Sequence, residues 1–84
     1  MTWQKIKNVS PGLNVVFLIW MRGDPFYAKR FLYKGRDLIA FSIAYSSIES
    51  NDPEVLMRNN NPASFEDIKH SNNDYLWQLF VPPE

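Results

Sequence analysis

The chain has 84 residues, no cysteine and a formal net charge of zero. That length makes one domain with a modest core, burying about 60% of the surface its unfolded form exposes. Without cysteine, disulfides, thiol nucleophiles and thiolate metal sites are excluded, and a small domain that lacks disulfide staples fits a reducing cytoplasm.

Residues 2–7 alternate weakly, as a short edge strand or an ordered lead-in. Ser10-Pro11-Gly12 is a turn signal. Residues 13–21 are apolar on both alternating faces, with Leu13, Val15, Phe17, Ile19 and Met21 on one and Val16, Leu18 and Trp20 on the other. This predicts a strand in the middle of a sheet with cover on both sides. The run Val15 to Met21 follows Lys5 and Lys7 in the order of a signal peptide. No small-residue cleavage pattern follows it, and its length is far below the ~20 residues a bilayer requires, so no membrane association is expected.

Arg22-Gly23-Asp24-Pro25 breaks that strand. Residues 26–34 admit two readings. As a helix, Asp24 caps it, Pro25 takes the first position and Gly35 ends it, with Tyr27, Ala28, Phe31 and Leu32 on the buried face. As a strand, they pair with residues 13–21 through a short loop. The helical pattern is slightly the cleaner. Residues 38–46 alternate large and small, with Ile39, Phe41, Ile43 and Tyr45 against Ala40, Ser42, Ala44 and Ser46, which predicts a strand whose small face admits a helix.

Ser50-Asn51-Asp52-Pro53 opens a short helical turn through Met57. Ser64-Phe65-Glu66-Asp67 has capping-box character and predicts a further helix of about two turns to His70. Tyr75 to Val81 reads as a last strand stopped by Pro82-Pro83. The expected fold is α+β, a small single domain with a mainly antiparallel three- to four-stranded sheet and one or two short helices. A largely helical domain is the competing reading.

The zero net charge hides an asymmetry. Residues 1–36 hold seven of nine basic side chains against one acid, Asp24, a net +6, and residues 37–84 hold two basic side chains against eight acids, a net −6. Such separation points to an electrostatic partner or to self-association. The basic–aromatic stretch from Phe26 to Arg36 concentrates the positive charge. If it is helical, Lys29, Arg30, Tyr33 and Lys34 form one solvated stripe, continued by Arg36, that suits an acidic protein surface or a phosphate backbone. The plainer reading is an amphipathic face whose aromatics are core. A neutral chain is a poor generic nucleic-acid binder.

Trp20 and Trp77 are expected in the core. Trp3 reads either as a lid on the core edge or as an exposed interface anchor. His70 and Glu66 share a helix face, with Asp67 alongside, but no further ligand cluster, nucleophile or oxyanion motif accompanies them, so neither a catalytic nor a metal site is expected. With three glycines there is no phosphate-cradling loop, and no cofactor is implied. Arg22-Gly23-Asp24 matches an adhesion tripeptide that turns often contain by chance.

The expected function is that of a small, non-catalytic, cytoplasmic binding or regulatory protein acting through protein–protein contact. Lys29, Arg30, Tyr33, Lys34, Arg36 and Trp3 are the expected partner-binding residues, with an opposed acidic surface that a second copy in a homodimer would also fit. A nucleic-acid-binding module using the same patch is the alternative.

Overall fold

Two turns, each a cation followed by glycine, organise residues 3–81, the part of the chain that the computed structural model describes. Arg22-Gly23 joins β2 (Val16–Met21) to β3 (Asp24–Tyr33), and Lys34-Gly35 joins β3 to β4 (Arg36–Ser42). Both central residues of each turn have positive φ, 53° and 82° in the first and 51° and 77° in the second. That is the signature of the primed two-residue hairpin, whose twist matches that of its flanking strands. Residues 26–34 are therefore a strand, not the helix the pattern slightly favours. Phe17 pairs with Ala28 on one side of β3, and Ala28 with Phe41 on the other.

The sheet is antiparallel and open, with six strands in the order β1-β6-β2-β3-β4-β5, where β1 is Gln4–Lys5, β5 is Ala63–Ser64 and β6 is Leu76–Leu79. The strand count exceeds the expected three to four because β3 joins the sheet and each edge gains a two-residue strand, while the α+β class stands. The expected strand over 13–21 starts only at Val16, because Asn14 turns left-handed at φ 62° and donates its N–H to the Arg30 carbonyl at 2.7 Å. The strand expected over 38–46 stops at Ser42, whose hydroxyl accepts from the Ala44 N–H and bends the chain away. Ile43 is consequently 82% exposed. The Pro82-Pro83 stop lies outside the described residues.

Two cores form, one on each face of the sheet. The first holds Phe17, Ile19, Ala28, Ile39 and Trp77, covered by Ile6 and by Phe65 and Ile68 of α2 (Phe65–Lys69). The lead-in over residues 6–11 crosses this face and is pinned there, since the Trp77 indole donates to the Val9 carbonyl at 2.7 Å. The second core holds Phe31, Leu38 and Ala40 beneath Ile48 and Leu56 of α1 (Pro53–Asn59). α1 packs chiefly on β3, while α2 covers β4 on its large-residue face through Ile39 and Phe41, so the helix expected on the small face of β4 lies mainly over its neighbour. Asp52 caps α1 by accepting from the Glu54 N–H at 3.0 Å, with Pro53 at the first position. The capping box expected at α2 does not form: Ser64 stands at the N-cap with no side-chain hydrogen bond, its backbone paired with Leu38 in the sheet.

Candidate functional site

The strand conformation of residues 26–34 decides where the expected binding residues go. Neighbours in a strand point to opposite faces, so Lys29 and Arg30 part company. Lys29 lies on the α1 side, 2% exposed, and its ammonium donates to the Glu49 carbonyl at 3.2 Å, the Ser50 carbonyl at 2.9 Å and Asn51 Oδ1 at 3.3 Å. All three ammonium donors are used to hold the segment leading into α1. Burial pushes the Lys29 pKa below its usual value, against the opposing attraction of Glu49.

Arg30 lies on the α2 side. Its Nε and Nη2 donate to both carboxylate oxygens of Asp37, the shortest contact being 2.7 Å, while Nη1 donates to the Pro11 carbonyl at 2.9 Å. Its guanidinium sits 4.0 Å from the centre of the Phe65 ring. The hydrogen bond to Asp37 raises the Arg30 pKa, with burial opposing it. Both side chains thus act inside the domain. The single solvated stripe of Lys29, Arg30, Tyr33 and Lys34 requires a helix and is absent from the strand. Tyr33 is half-buried and directs its hydroxyl at Glu54 Oε2, 3.4 Å away, with the Lys34 ammonium 5.2 Å from its ring centre. Lys34 and Arg36 are exposed at the β3–β4 turn.

Part of the charge asymmetry is neutralised within the chain. Lys7 pairs with Asp74 at 2.6 Å and Arg30 with Asp37 at 2.7 Å, each pair joining the basic half to the acidic half. Within the described residues 3–36, Lys5, Arg22, Lys34 and Arg36 are exposed cations outside any ion pair, and Arg58 is a further one on α1. Those of the basic half divide between the two ends of β3: Arg22 stands at its first turn, with Lys5 near that end, and Lys34 and Arg36 stand at its last turn.

An uncovered apolar surface lies on the α1 side of the sheet, beyond the reach of α1. Strand register places Lys5, Leu76, Trp20 and Pro25 in one row across it, and Gln78, Leu18 and Tyr27 in the next. Trp20 is 42% exposed, so it is not in the core as expected, and the cover expected on both faces of β2 reaches Phe17 and Ile19 on one face but only Val16 on the other. Trp3 meets Trp20 edge to face, with ring centres 5.9 Å apart. Farther along, Tyr27, Tyr45 and Phe80 form a second aromatic cluster, with centres 5.1–5.7 Å apart. Between the clusters lie Leu18 and the Gln78 amide, which makes no side-chain hydrogen bond among the described residues.

Two hollows adjoin on this face and share Trp20 and Leu76. One, of about 200 Å³, is completed by Trp3. The other, of about 420 Å³, runs between the Arg22-Gly23 turn and residues 73–75. The sequence reading found Trp3 but passed over Lys5, Arg22, Leu18 and Leu76. The one signal available for them was the alternation of Leu18 and Trp20, which looks the same whether a helix covers that face or not.

Glu66 and His70 lie 2.9 Å apart on the exposed side of α2, and with Asp67 they line neither hollow. No group of three or more potential metal ligands occurs among the described residues, and no helix there is long and apolar enough to cross a membrane. Comparison of the chain with protein-family models, with curated proteins and with solved structures found no match.

Proposed function

We propose that this chain is a small cytoplasmic binding protein, without chemistry of its own, that docks an acidic region of another protein on the open half of its sheet. The observation that carries this reading is the exposed Trp20, flanked by the half-buried Trp3 and Leu76, beside Lys5 and Arg22. Tryptophan at the centre of an apolar patch supplies contact energy, and rim cations steer an acidic partner and select against a basic one.

The sheet edges are poorly suited to the other common mode, strand addition. At β1 the Lys5 carbonyl already accepts from the Asn8 and Val9 N–H groups, at 3.0 and 3.1 Å. At the opposite edge β5 has two residues and leads directly into α2. Short, occupied edges resist pairing with another chain, which leaves the face.

The test is capture of partner proteins by immobilised wild-type chain, by Trp20→Ala and by the double variant Lys34→Ala/Arg36→Ala. A protein retained by wild type and the double variant, but lost by Trp20→Ala, supports the reading. Loss with the double variant and retention by Trp20→Ala places the contact at the other end of the sheet and overturns it.

A second reading has an observation of its own. Exposed aromatics on an open antiparallel sheet also suit stacked bases of a single strand. Tight binding of an oligonucleotide that weakens log-linearly with salt, and disappears in Trp20→Ala, favours that reading instead.

A further inference from the structure

Arg22 occupies a backbone position that suits it badly. The first central residue of a primed two-residue turn needs positive φ, and asparagine or glycine adopts it with least strain. Here the chain places an arginine there, at φ 53°. Across the 420 Å³ hollow, Asp74 is left-handed as well, at φ 49°. Lys34 holds the same position of the other turn at φ 51°, so the backbone alone does not single Arg22 out; its place at the lip of a concave site does.

The charges around the hollow show what Arg22 is free to bind. Its lining includes Trp20 and Leu76 as an apolar wall, with Arg22, Asn73 and Tyr75 as polar groups. Asp74 is the acid there, and Lys7 engages its carboxylate at 2.6 Å. That hydrogen bond, joined by the charges of Lys7 and Lys5, holds the Asp74 carboxyl below its usual pKa. Asn73 donates its amide to the Tyr75 hydroxyl at 3.1 Å. The guanidinium of Arg22 is left with no carboxylate partner among the described residues. Five fixed donors in a planar fork suit a carboxylate better than any other side chain does.

We infer that this hollow is the subsite for one carboxylate of the partner, and that the partner segment also lays a large apolar side chain over Trp20 and Leu76. Arg22 follows Trp20 by two residues and both line the hollow, so one short segment reaches both, with a large apolar residue and an aspartate or glutamate close together in its sequence. This rests on the docking surface proposed above and names what that surface selects.

The test is selection from a displayed library of random peptides on the immobilised full chain. Enriched peptides are expected to carry a large apolar residue with an acid close by in sequence. Against them, Arg22→Asn should bind at least about tenfold more weakly, with a melting temperature equal to or above that of wild type, because the variant relieves the turn. Arg22→Glu should redirect selection toward lysine and arginine. A merely structural arginine would give neither the redirected selection nor a binding loss without a stability loss.

Enriched peptides with no acidic preference, or unchanged binding by Arg22→Asn, overturn the subsite while leaving the docking face standing. Enrichment indifferent to Trp20→Ala overturns the face itself. Displacement of the peptides by an oligothymidine at low salt overturns the assignment of a protein partner.

Discussion

One side of the sheet behaves as two different surfaces. Under α1, Phe31, Leu38 and Ala40 are buried and the Lys29 ammonium fastens the chain above them. One to three strands away, Trp20, Leu76 and Trp3 carry as much apolar bulk and remain within reach of solvent. The strands have the same alternation in both regions; what differs is whether the chain returns over them. Burial at the closed half stabilises the fold, at roughly 25 cal/mol per Å² of apolar surface removed from water. The open half keeps that free energy available for a partner.

The largest effect expected from this contrast is at Phe31, which is fully buried. Phe31→Ala should cost about 3–5 kcal/mol, comparable with the whole stability of a domain this size. Urea denaturation should show the variant largely unfolded. A midpoint near that of wild type would mean that the closed half is not the core.

Lys29 comes next. Lys29→Met keeps the stem and removes the ammonium that three oxygens share, and should cost about 1–3 kcal/mol by urea denaturation. A pH signature accompanies it. A lysine whose pKa is lower folded than unfolded weighs against folding while it is charged. As pH rises from that lowered value toward about 10.4, the unfolded chain holds more protons than the folded one, and the Lys29 contribution to stability increases. The difference in urea midpoint between wild type and Lys29→Met should change in that direction across the alkaline range, and a flat difference would count against a shifted lysine.

A smaller effect is expected at Asp37. Its bidentate partner Arg30 has a side chain 22% exposed, so the pair is only partly screened. Asp37→Asn should cost about 1 kcal/mol and leave Arg30 held by Pro11 and Phe65. Trp20→Ala should cost far less than Phe31→Ala, about 1 kcal/mol, because Trp20 is 42% exposed and packs on only part of its surface, against Trp3 and Leu76. Its effect on partner capture should be the greatest of the four. If Trp20→Ala instead destabilises as much as Phe31→Ala, the two halves of the face are one core.

The sequence was most legible where its signals were local. The Asp52-Pro53 start of α1 and the alternation around Ile39 and Phe41 both appear where the pattern places them. The assignment of 26–34 failed because Gly23 and Gly35 serve helix ends and primed turns equally well, and the usual asparagine or aspartate of such turns is replaced by Arg22 and Lys34. That error carried the candidate site with it. As a helix the stretch presents Lys29 and Arg30 together; as a central strand it sends them to opposite faces, each into partners from distant residues. The open face was illegible for a different reason. Exposure of Trp20 depends on where α1 stops, and no residue near Trp20 encodes that.

The most direct test follows amide shifts of isotope-labelled chain as a captured acidic partner is titrated in. The docking face predicts that the largest changes gather at Trp3, Lys5, Leu18, Trp20, Arg22 and Leu76, with little at Lys34 and Arg36. Changes centred on Lys34 and Arg36, with Trp20 and Leu76 unmoved, would contradict it.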